Sequence, residues 1–193
     1  PTRRSSELQT GLNTSSVKEA VGNISNQICD GIILNATGID ASEIKRLSMN
    51  RPTVLLDDCT PEPVLDTVMT PSREGAKAAV THLLEQGCHA IAAVGLEYLA
   101  ADVRGDRADT HVERFEGMRE ALESAGRSLS EQQCFPGEWL VEPGREIAHR
   151  LADMGMPFDG LFCASDSLAF GAIRGFADRG IRVPDDVTIV GFD

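Results

Sequence analysis

Gly160-Leu-Phe-Cys-Ala164, Ser165-Asp-Ser-Leu-Ala-Phe-Gly-Ala-Ile-Arg-Gly-Phe-Ala-Asp-Arg-Gly180 and Val187-Thr-Ile-Val-Gly-Phe192 follow one another near the end of the chain, and their reading decides the fold. The first is a short apolar run, which suits a buried strand. In the second, Leu168, Ala172, Ile173 and Phe176 recur at helical spacing, and Gly180 suits a helix stop. Pro184-Asp185-Asp186 then reads as a turn before a last strand. A strand, a helix and a strand in this order form a βαβ unit, which places the two strands parallel in one sheet.

The same alternation extends upstream. Ser16 and Glu19 form a capping box, and Val17, Val21, Ile24 and Ile28 follow at helical spacing. Gly31–Leu34 and Thr53–Leu56 read as strands, with a short helix from Asp40 to Leu47 between them. Asp66–Met69 is a weaker strand. Ser72 reads as the cap of a helix faced by Ala76, Ala79, Val80, Leu83 and Leu84, with Gly87 at its left-handed end. Ala90–Gly95 is a strand, and 96–109 a polar loop. Phe115, Met118, Leu122 and Ala125 line a helix ended by Gly126, and Ile147, Leu151 and Met154 line another. A short strand lies near Gln133–Phe135.

The fold class is therefore α/β with parallel, doubly wound sheets. The stretch Thr53–Met69 is the exception, because no helix separates its two strands. A chain leaving one sheet for another has this pattern. A boundary is expected near 67–71, dividing an N-terminal lobe, 1–69, from a C-terminal lobe, 70–193.

Composition excludes several classes of function. The chain has 18 Lys and Arg against 30 Asp and Glu, a formal net charge of −12. Phosphate binding needs a basic stripe, so this segment is not expected to bind DNA or an anionic membrane. No apolar run approaches the ~20 residues of a membrane span. The five cysteines include no CxxC pair, and the four histidines do not cluster with them. Reduced thiols, no metal and no cofactor are expected. Phosphate-loop, dinucleotide, nucleophile-elbow and HExxH motifs are absent from the sequence. Glu142 and Glu146 are helix-spaced carboxylates on a solvent face.

Open parallel sheets bind ligands beyond the carboxyl ends of their strands. That rule selects Asn35, Asp57, Ser165 with Asp166, and Asp193. Each also suits an ordinary turn or helix cap. Trp139, the single tryptophan, sits in a Gly137-Glu138-Trp139 turn. Its ring suits stacking on a sugar or base, and equally a lid over the core. Arg114 lies one residue before Phe115, in what reads as a first helical turn. It offers a planar fork to ligand oxygens, or a surface pair with Glu113.

Four blocks in order carry a resemblance: Asp30–Leu34, Ala79–Gly87, Arg114–Leu122, and Phe162–Ala172 continuing through Gly180–Asp186 to Asp193. Over nearly its whole length the chain resembles the regulatory domain of LacI/GalR-type transcriptional repressors. The resemblance implies two Rossmann-like lobes of the periplasmic-binding-protein type, with an effector cleft between them. It also implies that Asn35, Asp57, Arg114, Trp139, Ser165 and Asp193 contact a small effector, a sugar or related polar metabolite. A cytoplasmic homodimer is implied, with the Ser167–Arg179 helix and its Phe170 at the interface. Operator DNA would be bound only by a headpiece outside this chain, and both lobes would be incomplete here. A periplasmic-type solute-binding protein and a small-metabolite α/β enzyme are the alternatives.

Overall fold

Every residue of the strands Ile91–Val94 and Gly160–Cys163 is buried. A strand buried on both faces requires a layer of structure on each, and this requirement organises the second half of the molecule. The computed structural model describes residues 30–35, 41–47, 51–57, 63–100 and 109–193. The helical reading of Ser16–Ile28 lies outside these residues.

The chain divides into two compact units, Pro1–Thr70 and Pro71–Asp193. The first contains β1 (Ile32–Asn35), α1 (Ala41–Leu47), β2 (Thr53–Leu56) and β3 (Asp66–Val68). Its sheet has the order β1-β2-β3 and is parallel throughout. Ile32, Leu55 and Ile44 form its buried side, while Ile33 and Val68 are exposed.

The second unit contains α2 (Ser72–Glu85), β4 (Ile91–Val94), α3 (Thr110–Ser124), β5 (Cys134–Phe135), α4 (Val141–Asp153), β6 (Gly160–Cys163), α5 (Asp166–Ala177) and β7 (Thr188–Val190). Its sheet order is β5-β4-β6-β7, again all parallel. The α/β class and the parallel sheets read from the sequence are thus observed.

Helices α2 and α3 pack as one pair and α4 and α5 as another, which supplies the two layers the central strands need. Arg73 and Lys77 of α2 both reach Glu120 of α3, and Arg73 above all holds that carboxyl below its ordinary range. Both pairs meet backbone to backbone: a methyl group at Gly117 of α3 would overlap the carbonyl oxygen of Arg73 on α2. A methyl group at Gly171 of α5 would overlap the carbonyl oxygen of Val141 on α4, and one at Gly144 would overlap that of Leu168.

Local signals explain the helix ends. Asp109 caps α3 by accepting from the Val112 amide at 2.9 Å, and Ser165 caps α5 by accepting from Leu168 at 3.2 Å. Gly87, at φ 91°, turns the chain out of α2 in the left-handed region that glycine tolerates.

Three sequence-based expectations are corrected. Ser72 does not cap α2; it is the first helical residue and is buried, and Pro71 holds the cap position. The helix α3 begins at Thr110, so Arg114 lies in its second turn. Ile173 is 43% exposed, because α5 turns Leu168, Ala172 and Phe176 inward and Phe170 and Ile173 outward.

Cys88, Cys134 and Cys163 are free thiols. Burial raises the pKa of all three, that of Cys134 to about 12. Thiols so disfavoured as thiolates are poor nucleophiles. Among the described residues no helix is long and apolar enough to cross a membrane.

Because α4 and α5 meet backbone to backbone at Gly171, Gly171→Ala is expected to destabilise the protein by about 1–3 kcal/mol through overpacking. Urea denaturation followed by Trp139 fluorescence measures it. An unchanged midpoint would show that the two helices are not held this closely.

Candidate functional site

All four strands of the second sheet end at one edge, because they run parallel. Backbone bonds join the segments leaving that edge. Gly95 donates to Phe135, Ala164 to Val94 and Asp166 to Phe192. The candidate site is built on this edge.

Arg114 reaches it from α3, and its residue is only 7% exposed. Its Nη1 donates to the Ala164 carbonyl at the end of β6, and its Nε lies 3.4 Å from the Ser72 hydroxyl at the start of α2. The guanidinium carbon stands 3.8 Å from the Phe192 ring centre and 4.5 Å from that of Trp139. Aromatic faces are negative, so they stabilise a cation removed from water.

Both rings are positioned by neighbouring small residues. The Trp139 indole donates from Nε1 to the Gly95 carbonyl at 2.9 Å. Gly95, at φ 86°, adjoins the indole; an added methyl group would overlap Leu168 Cδ1 and stand 3.1 Å from the Trp139 Cδ1. At Gly75 of α2 a methyl group would stand 2.7 Å from the Phe192 ring. A larger residue at Gly75 would displace the Phe192 ring, and one at Gly95 would collide first with Leu168 and crowd the indole.

His111 stands one helical turn before Arg114. Its ring centre lies 4.2 Å from that of Trp139, at an interplanar angle of 37°. Its Nδ1 is 3.9 Å from the Asp109 carboxylate. Half-exposed Trp139 is therefore flanked by a guanidinium and an imidazole from the same helix.

Of the residues selected from the sequence, Arg114, Trp139, Ser165 and Asp193 belong to this unit and lie on or beside this edge. The first two touch each other. Ser165 follows Ala164 directly and caps α5. Asp193, exposed, follows Phe192. Asn35 and Asp57 lie at the ends of β1 and β2 in the other unit. Asp57 has φ 57°, and its Oδ1 accepts from the Thr70 amide at 2.7 Å. Sequence reasoning missed Ser72, His111 and Phe192. His111 had a usable signal, its place one turn from Arg114; Phe192 had none.

No group of three or more His, Cys, Asp or Glu that could hold a metal occurs among the described residues. Glu142 and Glu146 are exposed on α4, as a solvent face requires.

Fold and edge together define a doubly wound parallel α/β domain with a polar, aromatic-backed carboxyl edge. The chain belongs to the periplasmic binding protein-like domain family, which matches residues 80–193. It is 32% identical over 169 residues to the ribose operon repressor of Halalkalibacterium halodurans, covering 85% of this chain and 45% of that protein. A LacI-type transcription regulator from Bifidobacterium animalis subsp. lactis superposes with a TM-score of 0.84 at 29% identity, covering 95% of this chain and 66% of that one. A LacI-family regulator structure from Sanguibacter keddieii gives 0.79 at 31% identity, covering 96% and 64%. The resemblance to LacI-type regulators is thus borne out. The chain spans about half the length of the curated relatives it matches.

Replacing Arg114 by Ala removes a buried cation from two rings and a carbonyl. The expected loss of stability is about 2–3 kcal/mol. Arg114→Lys is expected to recover less than half of it, because a lysine lacks the planar fork. Chemical denaturation of the three proteins tests both; equal stability would mean that the guanidinium does not hold the edge together.

Proposed function

We propose that this chain is the effector-sensing domain of a LacI-type transcriptional regulator, and that it binds a small hydroxyl-rich metabolite, a sugar, without transforming it. The observation that carries this reading is the Arg114 guanidinium, fixed between Trp139 and Phe192 at the carboxyl edge of a parallel sheet. Ligands of open α/β sheets bind at that edge. A planar donor held there in advance suits oxygen-rich ligands. The relatives support the reading too, one being named a ribose operon repressor.

In this proposal Arg114, Trp139, Ser165 and Asp193 contact the effector, and Asn35 and Asp57 contribute from the first unit. Ser165 uses an oxygen lone pair to cap α5, while its hydroxyl hydrogen donates to the ligand. Effector binding shifts a conformational equilibrium by its differential affinity for the two states. In the whole protein a helix-turn-helix segment binds the operator, in the cytoplasm, and takes up that shift. With a net charge of −12, the chain itself is poorly suited to phosphate contact.

The full-length protein is expected to show a raised melting temperature with at least one member of a panel of sugars, and the same sugar should change operator affinity. Arg114→Lys should weaken that sugar about tenfold or more. A flat panel together with unaltered operator affinity would remove the proposal, and conversion of a bound sugar to product would replace it with an enzyme.

The homodimer is proposed to form through the outer face of α5. Phe170 is 65% exposed there and Ile173 43%, with Val141 of α4 also exposed. Apolar groups gathered on one helix pair suit an interface. Phe170→Asp should convert the dimer to a monomer in analytical ultracentrifugation; a variant that sediments as the wild type would place the interface elsewhere.

A further inference from the structure

Phe192 is joined to three helices at once. The centre of its ring lies 3.8 Å from the Arg114 guanidinium carbon on α3. The ring edge lies against α2, where a methyl group on Gly75 would come within 2.7 Å of it. Its carbonyl accepts from the Asp166 amide at 3.1 Å, at the start of α5. The residue before it is equally confined. A methyl group on Gly191 would overlap the Asp166 carboxylate and stand 3.2 Å from the Ala169 Cβ.

These contacts bear on two of the residues assigned to the effector. An aromatic face is negative and attracts a cation, so it restricts where the guanidinium can lie. Of the two rings beside Arg114, that of Phe192 is the nearer, and Trp139 is shared with His111. The next residue is Asp193, whose backbone starts from the point that the ring and the Asp166 amide hold. A guanidinium donates hydrogen bonds and an ionised carboxylate accepts them. One residue thus governs the place of a donor and of an acceptor.

We propose that Phe192 is a positioning residue of the effector site: the charge on its ring face sets the Arg114 guanidinium, and its anchored backbone sets Asp193, so that donor and acceptor meet a polyol as a fixed pair. The proposal rests on the effector-sensing reading above and deepens it. Phe192 need not touch the effector. It acts through the two polar side chains, and a hydroxyl group, which both accepts and donates, suits such a pair. The affinity of the site then depends on the electron density of a ring that is not itself a ligand contact. A ring that merely filled space would have no such effect, since shape alone would serve.

Calorimetric titration of the full-length protein with D-ribose, D-glucose, D-galactose and cellobiose provides the test. Replacing Phe192 by trifluorophenylalanine withdraws negative charge from the ring face while nearly keeping its shape. Affinity for the tightest-binding sugar is expected to fall about fivefold in that protein, and about tenfold in Phe192→Leu. The fluorinated ring should also lower the melting temperature of the ligand-free protein. It should not do so in an Arg114→Gln background, which has no charge for the ring to hold. Wild-type affinity in the fluorinated protein would overturn the proposal by showing a space-filling role. So would an equal fall in melting temperature with Arg114→Gln, because the ring would then not act through the guanidinium. If the wild type binds none of the four sugars, the effector reading fails and the Phe192 proposal falls with it. Sugar binding by the wild type with either overturning result sinks the Phe192 proposal alone.

Discussion

A guanidinium removed from water is the constraint around which the second unit is arranged. An ionised group buried without partners costs several kcal/mol, far more than a single mutation-sized effect. Arg114 avoids that penalty through two aromatic faces and a strand-end carbonyl. Those partners come from widely separated parts of the chain: the turn before α4, the segment after β7, and the end of β6. Each must stay in place for the cation to be tolerated. The charge therefore dictates the positions of the rings, and the Phe192 ring dictates that a small residue stands at Gly75.

That arrangement is possible because the sheet is parallel and covered on both faces. The central strands β4 and β6 present only buried residues, so their side chains serve the core and none is left for ligand chemistry. Polar function is pushed to the strand ends. The helices follow the same division. Inward faces of α2 and α5 are apolar, while caps such as Ser165 and Asp109 gather at helix starts, and Ser165 lies at the strand carboxyl ends. A parallel topology brings several such starts to one edge, which is why the candidate site has residues from many elements.

The legible part of this structure was the part encoded locally. Alternating short apolar runs and helical spacings located the described strands and helices, and the left-handed glycines marked helix stops at Gly87, Gly126 and Gly180. Strand-end logic selected Ser165 and Asp193 in this unit. What failed was the side on which a residue falls. Ile173 is apolar and helix-spaced, yet it faces out, because the inward arc of α5 is already filled by Leu168, Ala172 and Phe176. Arg114 read as lying in a first helical turn because the polar start of α3, Thr110-His111, hid a full turn of helix and its Asp109 cap. The contact of His111 with Trp139 joins distant segments, so no local pattern announces it. Phe192 read only as the end of a strand. Its role as a ring under Arg114 depends on a helix that precedes it by several elements.

Preorganisation has a consequence for how such a site can signal. Arg114 is already held by a carbonyl and two rings, so an effector bound there as proposed would gain its hydrogen bonds without the cost of ordering the side chain. The strand end in the first unit is likewise fixed, with Asp57 gripping the Thr70 amide in a left-handed conformation. A ligand that meets a preset edge has little to rearrange within it. Its binding free energy can then be expressed only where the chain has two comparable arrangements, which a packed edge does not offer. If effector binding alters DNA affinity as proposed, the change has to arise outside these edges, in whatever part of the protein differs between the two states. Tight edges and a responsive remainder are therefore complementary requirements: looseness at Arg114 would absorb locally the free energy that regulation needs to transmit.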